Sequence, residues 1–118
     1  GDKGEGVLIR SFRLQPEATT GDGERMRYKL LVQQSGRPKK DFSGSVQLVV
    51  HYAHGGRDAT LQLPQGTLDK APSHLQLSFR HYQRVEGTLS LPAGAVARSV
   101  LVRIMSGRQV KAQQTFEI

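Results

Sequence analysis

Cysteine, tryptophan and asparagine are absent from this 118-residue chain, and aromatic residues make up only 6% of it. Without cysteine there is no disulfide, no thiolate nucleophile and no thiolate metal ligand, and the redox compartment leaves no trace. Without asparagine, every turn must draw on Gly, Pro, Asp or Ser. Without tryptophan and with few other rings, the core has to be mainly aliphatic. No apolar run approaches the ~20 residues that a membrane-spanning helix needs. The opening GDKGEG lacks the apolar centre of a signal peptide. A leading Gly and a polar start are expected of a fragment, with residues 1–6 a disordered lead-in, residues 7–118 one domain, and any membrane segment upstream.

Signatures of catalysis are missing as well. There is no G-x-S-x-G elbow, no phosphate-binding glycine loop and no H-E-x-x-H. His51 and His54 form an H-x-x-H, but on a strand positions three apart face opposite ways, and no carboxylate follows at ligand spacing. His74 and His81 flank a strand at solvated turn or edge positions, while Asp41, Asp58, Asp69 and Glu86 are scattered over separate segments. The expectation is a non-enzyme with no catalytic, cofactor-binding or metal-ligating residues and no cofactor.

What the chain does have is alternation. In Leu75–Leu91, Leu75, Leu77 and Phe79 alternate with polar residues, and after a short break Val85, Gly87, Leu89 and Leu91 do the same. Successive strand side chains point to opposite faces, so each half reads as a strand with one dry face. Arg25–Gln34 is the cleanest such segment, with Met26, Tyr28, Leu30 and Val32 inward. Ser43–Tyr52 turns Val46, Leu48, Val50 and Tyr52 inward, Arg57–Leu63 turns Ala59, Leu61 and Leu63, and Ser99–Met105 turns Val100, Val102 and Ile104.

Val7–Leu14 changes parity between Ile9 and Phe12, which predicts a bulge near Arg10–Ser11. Pro16 is expected to end that strand, with Glu17–Glu24 a loop. Val110–Ile118 closes the chain as a candidate edge strand, with Val110, Ala112, Gln114 and Phe116 on one face. At most one helical turn is expected, around Leu68–Lys70. Short strands at about 10–12-residue spacing predict an all-β fold, an antiparallel immunoglobulin-like β-sandwich of about seven to eight strands. Tyr82 is placed where a tyrosine-corner or a rim aromatic would sit.

Net charge is +7. Such a balance favours acidic partners, although the charges are dispersed. The sharpest candidate surface is the wet face of Arg25, Arg27 and Lys29, about 6.5–7 Å apart along one strand. Arg10, Arg13, Arg80 or Arg103 from neighbouring strands would extend it into a stripe able to grip phosphate or carboxylate. Nucleic acid is a poor fit, because only Tyr82 is available for stacking.

FRHYQRVEGTLSLPAG, Phe79–Gly94, resembles the C-terminal β-rich domain of a proteobacterial family of unknown function. Its phrase F-R-Y-F-Q-x-x-E-G-x-L-x-L-P is filled by Phe79, Arg80, Tyr82, Gln83, Glu86, Gly87, Leu89, Leu91 and Pro92, with His81 a departure at a position usually aromatic. Tyr28–Gln34 and Gly44–Val50 are similar too. The resemblance implies a single-pass inner-membrane protein with a coiled coil and this domain at the periplasmic face, a homodimeric parent, and another envelope protein as partner. It brings no catalytic motif, and it gives Glu86 and Gly87 structural roles, with Glu86 pairing an Arg across strands. The function expected is therefore binding or scaffolding. The alternative is an anionic-polymer, lipid-headgroup or nucleic-acid binder working through Arg25, Arg27 and Lys29.

Overall fold

The computed structural model describes residues 6–66 and 71–118. The lead-in expected before residue 6 and the helical turn expected at Leu68–Lys70 lie outside the described residues, Gly6 apart. Eight strands are described: β1 (Gly6–Thr20), β2 (Gly23–Ser35), β3 (Phe42–His54), β4 (Arg57–Leu63), β5 (Gln76–Phe79), β6 (Tyr82–Leu91), β7 (Val96–Ser106) and β8 (Gln109–Glu117). All pairings are antiparallel. One sheet has the order β1-β2-β6, and the other β4-β3-β7-β8 with β5 also on β3. These are the A-B-E and C′-C-F-G sheets of an immunoglobulin-like sandwich.

Each sheet has one apolar face, and the two faces bury each other. Met26, Tyr28, Leu30, Val32, Val85, Leu89 and Leu91 come from one side; Val46, Leu48, Val50, Val100, Val102 and Ile104 come from the other. The long sides of the sandwich close differently. Along one, the Phe12 ring from β1 meets the Phe116 ring from β8, centroids 5.4 Å apart. Along the other, the Gln83 side-chain amide takes the place of a missing peptide. Its Oε1 accepts from the Ser78 N–H at 2.9 Å, and its Nε2 donates to the Gln76 carbonyl at 3.0 Å. The amide thus carries hydrogen bonding from β6 to β5 without a strand ladder.

The bulge predicted near Arg10–Ser11 is present, with Arg10 as the extra residue between Ile9 and Ser11. Pro16, however, does not end β1. It pairs with Met26, and a second bulge at Glu17 carries the strand on to Thr20, so the expected loop is a long hairpin with only Gly21-Asp22 at its tip. Proline is tolerated there because β1 is an edge strand and Pro16 sits beside a bulge. A further bulge at Lys111 turns Val110 away from the face of Ala112 and Phe116, leaving it opposite Met105 and 47% exposed. Tyr82 makes no corner: it is 62% exposed at the start of β6, a rim aromatic. The β3–β4 hairpin turns on Gly55-Gly56, both at positive φ (58° and 77°) as a type I′ turn requires.

Gly87 has a different reason. It lies directly opposite Tyr28 in the β2–β6 ladder, and a Cβ there would stand 2.6 Å from the Tyr28 Cζ. The absent side chain is the space the ring fills. Tyr28 is 1% exposed, and its hydroxyl is buried without a hydrogen-bond partner. Burial accordingly pushes the phenol pKa upward.

Gly87→Val should lower the unfolding free energy in urea by about 2–3 kcal/mol, the cost of an overfilled core site, and the loss should shrink when Tyr28→Leu is combined with it. Tyr28→Phe should be neutral or stabilising by up to about 1 kcal/mol, because it removes an unpaired buried hydroxyl. Since the folded phenol holds its proton more tightly than the unfolded one, the native protein should lose stability as pH rises above the ordinary phenol range. Tyr28→Phe should not show that loss.

Candidate functional site

The outward side chains of the three-stranded sheet form rows across its strands. Register places Ala18, Arg25 and Ser90 in one row, then Gln15, Arg27 and Thr88, then Arg13, Lys29 and Glu86. Next come Ser11, Leu31 and Arg84, and finally Leu8, Gln33 and Tyr82. Arg25, Arg27 and Lys29 therefore share one face, as their spacing predicts. Of the cations expected beside them, Arg13 joins the face. Arg80 does not, because it lies between β5 and β6 and bridges Asp41 at 3.1 Å. Arg103 stands in the other sheet, against Gln47 and Gln113. Arg84 was not anticipated, and completes the patch from β6.

This face is not bare positive charge. The bulge at Glu17 sets its carboxylate 2.8 Å from the Arg27 guanidinium, and Glu86 reaches the Lys29 ammonium at 3.9 Å. The hydrogen bond from Arg27 to Glu17, with their attraction, holds the Arg27 proton more firmly than usual. Glu86 thus pairs with a lysine and not, as expected, with an arginine. These are exposed pairs, screened by solvent, and they contribute little to stability. Their effect is on shape and field: two cations of the stripe have committed partners, while Arg25 has no ion pair among the described residues.

The histidines do not converge. His51, His54, His74 and His81 are all exposed. The His54 Nε2 lies 3.1 Å from the Ala93 carbonyl, a contact in which the ring donates. Among the described residues no group of three or more His, Asp or Glu side chains is placed to hold a metal. Among them, too, no helix is long and apolar enough to cross a membrane.

The best-anchored carboxylate, Glu24, escaped sequence reasoning. One oxygen accepts the Thr19 hydroxyl at 2.7 Å, and the other accepts the Gly94 N–H at 2.8 Å. It thereby ties the β1–β2 hairpin to the Pro92–Gly94 connection. The Gly94 amide, then Thr19, hold its pKa below the usual carboxylate range. Gln34 was missed in the same way. Its Nε2 donates to the carbonyls of Lys40 (3.0 Å) and Arg80 (2.9 Å), while its backbone N–H donates to the His81 carbonyl at 3.0 Å. For Gln83 a signal did exist, since it fills the Gln of the family phrase that Phe79–Pro92 resembles.

A model for a family of unknown function, DUF6776, matches residues 1–102. No curated protein matches the chain.

Glu24 should titrate below the usual carboxylate range in a side-chain carboxyl NMR titration. A depressed carboxylate contributes stability that is present above the unfolded pKa and lost as pH falls through the folded one. Glu24→Gln should therefore flatten the acid limb of the stability–pH curve, and equal acid limbs for the two proteins would overturn this role.

Proposed function

The chain belongs to DUF6776, and from that premise we propose that it is a non-enzymatic binding or scaffolding module, the periplasmic domain of a protein anchored in the inner membrane by a segment outside this sequence. Its partner is another protein of the cell envelope, and the full-length parent is a homodimer held by a coiled coil. The likeness of Phe79–Pro92 to such proteins supports the location and the anchoring. Support for binding comes from the distribution of side chains. Among the described residues no polar or charged residue is buried except through the Tyr28 hydroxyl, so the chemistry the domain offers is on its surface.

One observation carries the reading. On the outer face of the three-stranded sheet, Leu8, Leu31 and the 62% exposed Tyr82 stand among Arg13 and Arg84. Tyrosine and arginine anchors amid aliphatic contacts are the composition that protein interfaces favour. The neutralised Arg27 and Lys29 border this patch and leave it less purely cationic than the spacing of the stripe suggests.

Mild crosslinking of the membrane-embedded parent tests the proposal. Wild type should recover one defined envelope protein, and Leu31→Glu with Tyr82→Ala should reduce recovery about tenfold or more, as losing an interface anchor does. Reversing Arg25, Arg27 and Lys29 to Glu should leave recovery nearly intact. Recovery of an anionic polymer or lipid, abolished by that reversal, would instead make the basic face the site.

A further inference from the structure

The strand register gathers three connections at one end of the sandwich: 36–41 between β2 and β3, Arg80-His81 between β5 and β6, and Gly107-Arg108 between β7 and β8. Gly6, at the head of β1, pairs with Ser35 at the same end. These connections carry Arg37, Lys39, Lys40, Arg80 and Arg108, all exposed, with Lys111 close by as the third residue of β8. Asp41, bound to Arg80, is the one carboxylate at this end among the described residues. The opposite end carries Asp22, Glu24, Asp58 and Glu117 against Arg25, Arg57 and Arg98. Strands of 13 residues are about 44 Å long, so the 48 Å axis of the molecule runs along them and the charge is divided between its two tips.

The cationic tip is built as well as charged. The three Gln34 hydrogen bonds clamp the 36–41 connection to Arg80-His81, and the Arg80–Asp41 bridge ties them a second time. The cations are thus held out on braced loops. One exposed ring, Tyr82, borders these connections, whereas a single nucleic-acid strand is held on several stacked aromatics. Arg37, Lys39 and Lys40 line one open cleft beside Gln34 and Ser35, and Arg80 and Arg108 extend the charge across the end of a body 28 × 22 Å in section. That is the footprint of a broad anionic surface.

We propose that this tip docks on anionic phospholipid headgroups, with Arg37, Lys39 and Lys40 as its principal contacts. Clustered Lys and Arg gain from the negative potential of such a surface within about one Debye length. Because β1 begins at the same tip, a parent tethered upstream would hold the tip against the bilayer. That orientation rests on the anchoring proposed above, whereas lipid binding by the tip does not.

The test is co-sedimentation of the 118-residue chain with phosphatidylcholine vesicles containing phosphatidylglycerol, against phosphatidylcholine alone. The anionic vesicles should bind the chain, the neutral ones should not, and salt should weaken the binding. Reversing Arg37, Lys39 and Lys40 to Glu should weaken it well over a hundredfold, because losing each cation alone costs roughly fivefold and three anions add repulsion. The neutral set Arg37→Gln, Lys39→Gln and Lys40→Gln should fall between, and unchanged urea midpoints would show that both sets fold. Reversing Arg25, Arg27 and Lys29 should have the smaller effect. Equal binding to neutral vesicles, or binding that follows the sheet face and not the tip, would overturn the inference. So would binding to duplex DNA without binding to anionic vesicles. Failure here leaves the crosslinked protein partner untouched, and failure of that partner leaves the vesicle result untouched.

Discussion

The seating of the Tyr28 ring over Gly87 is the contact on which most of the molecule depends. It occurs in the ladder that, among the described residues, joins β6 to the rest of its sheet, and it works in only one register. A slip of one residue would drive the ring against a side chain and turn every apolar residue of β6 toward water. With the register set, Glu86 falls opposite Lys29, Arg84 opposite Leu31, and Tyr82 opposite Gln33. It follows that Gln34 lies beside His81 and can clamp the loops around it. The outer face and the cationic tip both inherit their geometry from one missing Cβ. A buried phenol left without a partner is the cost, and the ring's packing outweighs it.

The two basic regions differ in how their charge is held. On the sheet face, bulges and cross-strand pairing bring carboxylates to Arg27 and Lys29, softening the field while fixing the side chains. At the tip, Arg37, Lys39, Lys40 and Arg108 form no ion pair among the described residues. Exposed pairs contribute little to stability, so this difference concerns recognition more than folding. A compensated face suits a partner that excludes water and packs side chains, whereas an open cluster of charge suits a diffuse anionic surface that need not be matched group by group. The two proposals thus assign different partners to different surfaces and do not compete for residues.

The sides of the sandwich show a related economy. Edge strands invite foreign strands, and this fold blunts several of its edges. β1 carries Pro16 and two bulges, β8 carries a bulge at Lys111, and β6 passes its hydrogen bonding to β5 through the Gln83 amide. With the edges interrupted, the continuous surfaces left for recognition are the sheet faces and the loop-bearing tips.

The chain by itself determined the strands, their inward faces and the class of fold. Alternation of period two is written in neighbouring residues, and the antiparallel immunoglobulin-like sandwich follows from packing eight such strands back to back. It also determined that Arg25, Arg27 and Lys29 share a face, and it marked the Arg10 bulge through a change of parity. Only the tertiary structure decided what stood next to them. Glu24 reaches an amide 70 residues away, and Gln34 a carbonyl 46 residues away. Pro16 is accommodated because β1 has a free edge, Val110 is turned out by a bulge in its pairing, and Arg80 is drawn to Asp41 away from the stripe. Periodicity states which way a side chain points; its neighbour is set by which distant strand lies alongside and in what register, and that depends on the whole core being buried at once.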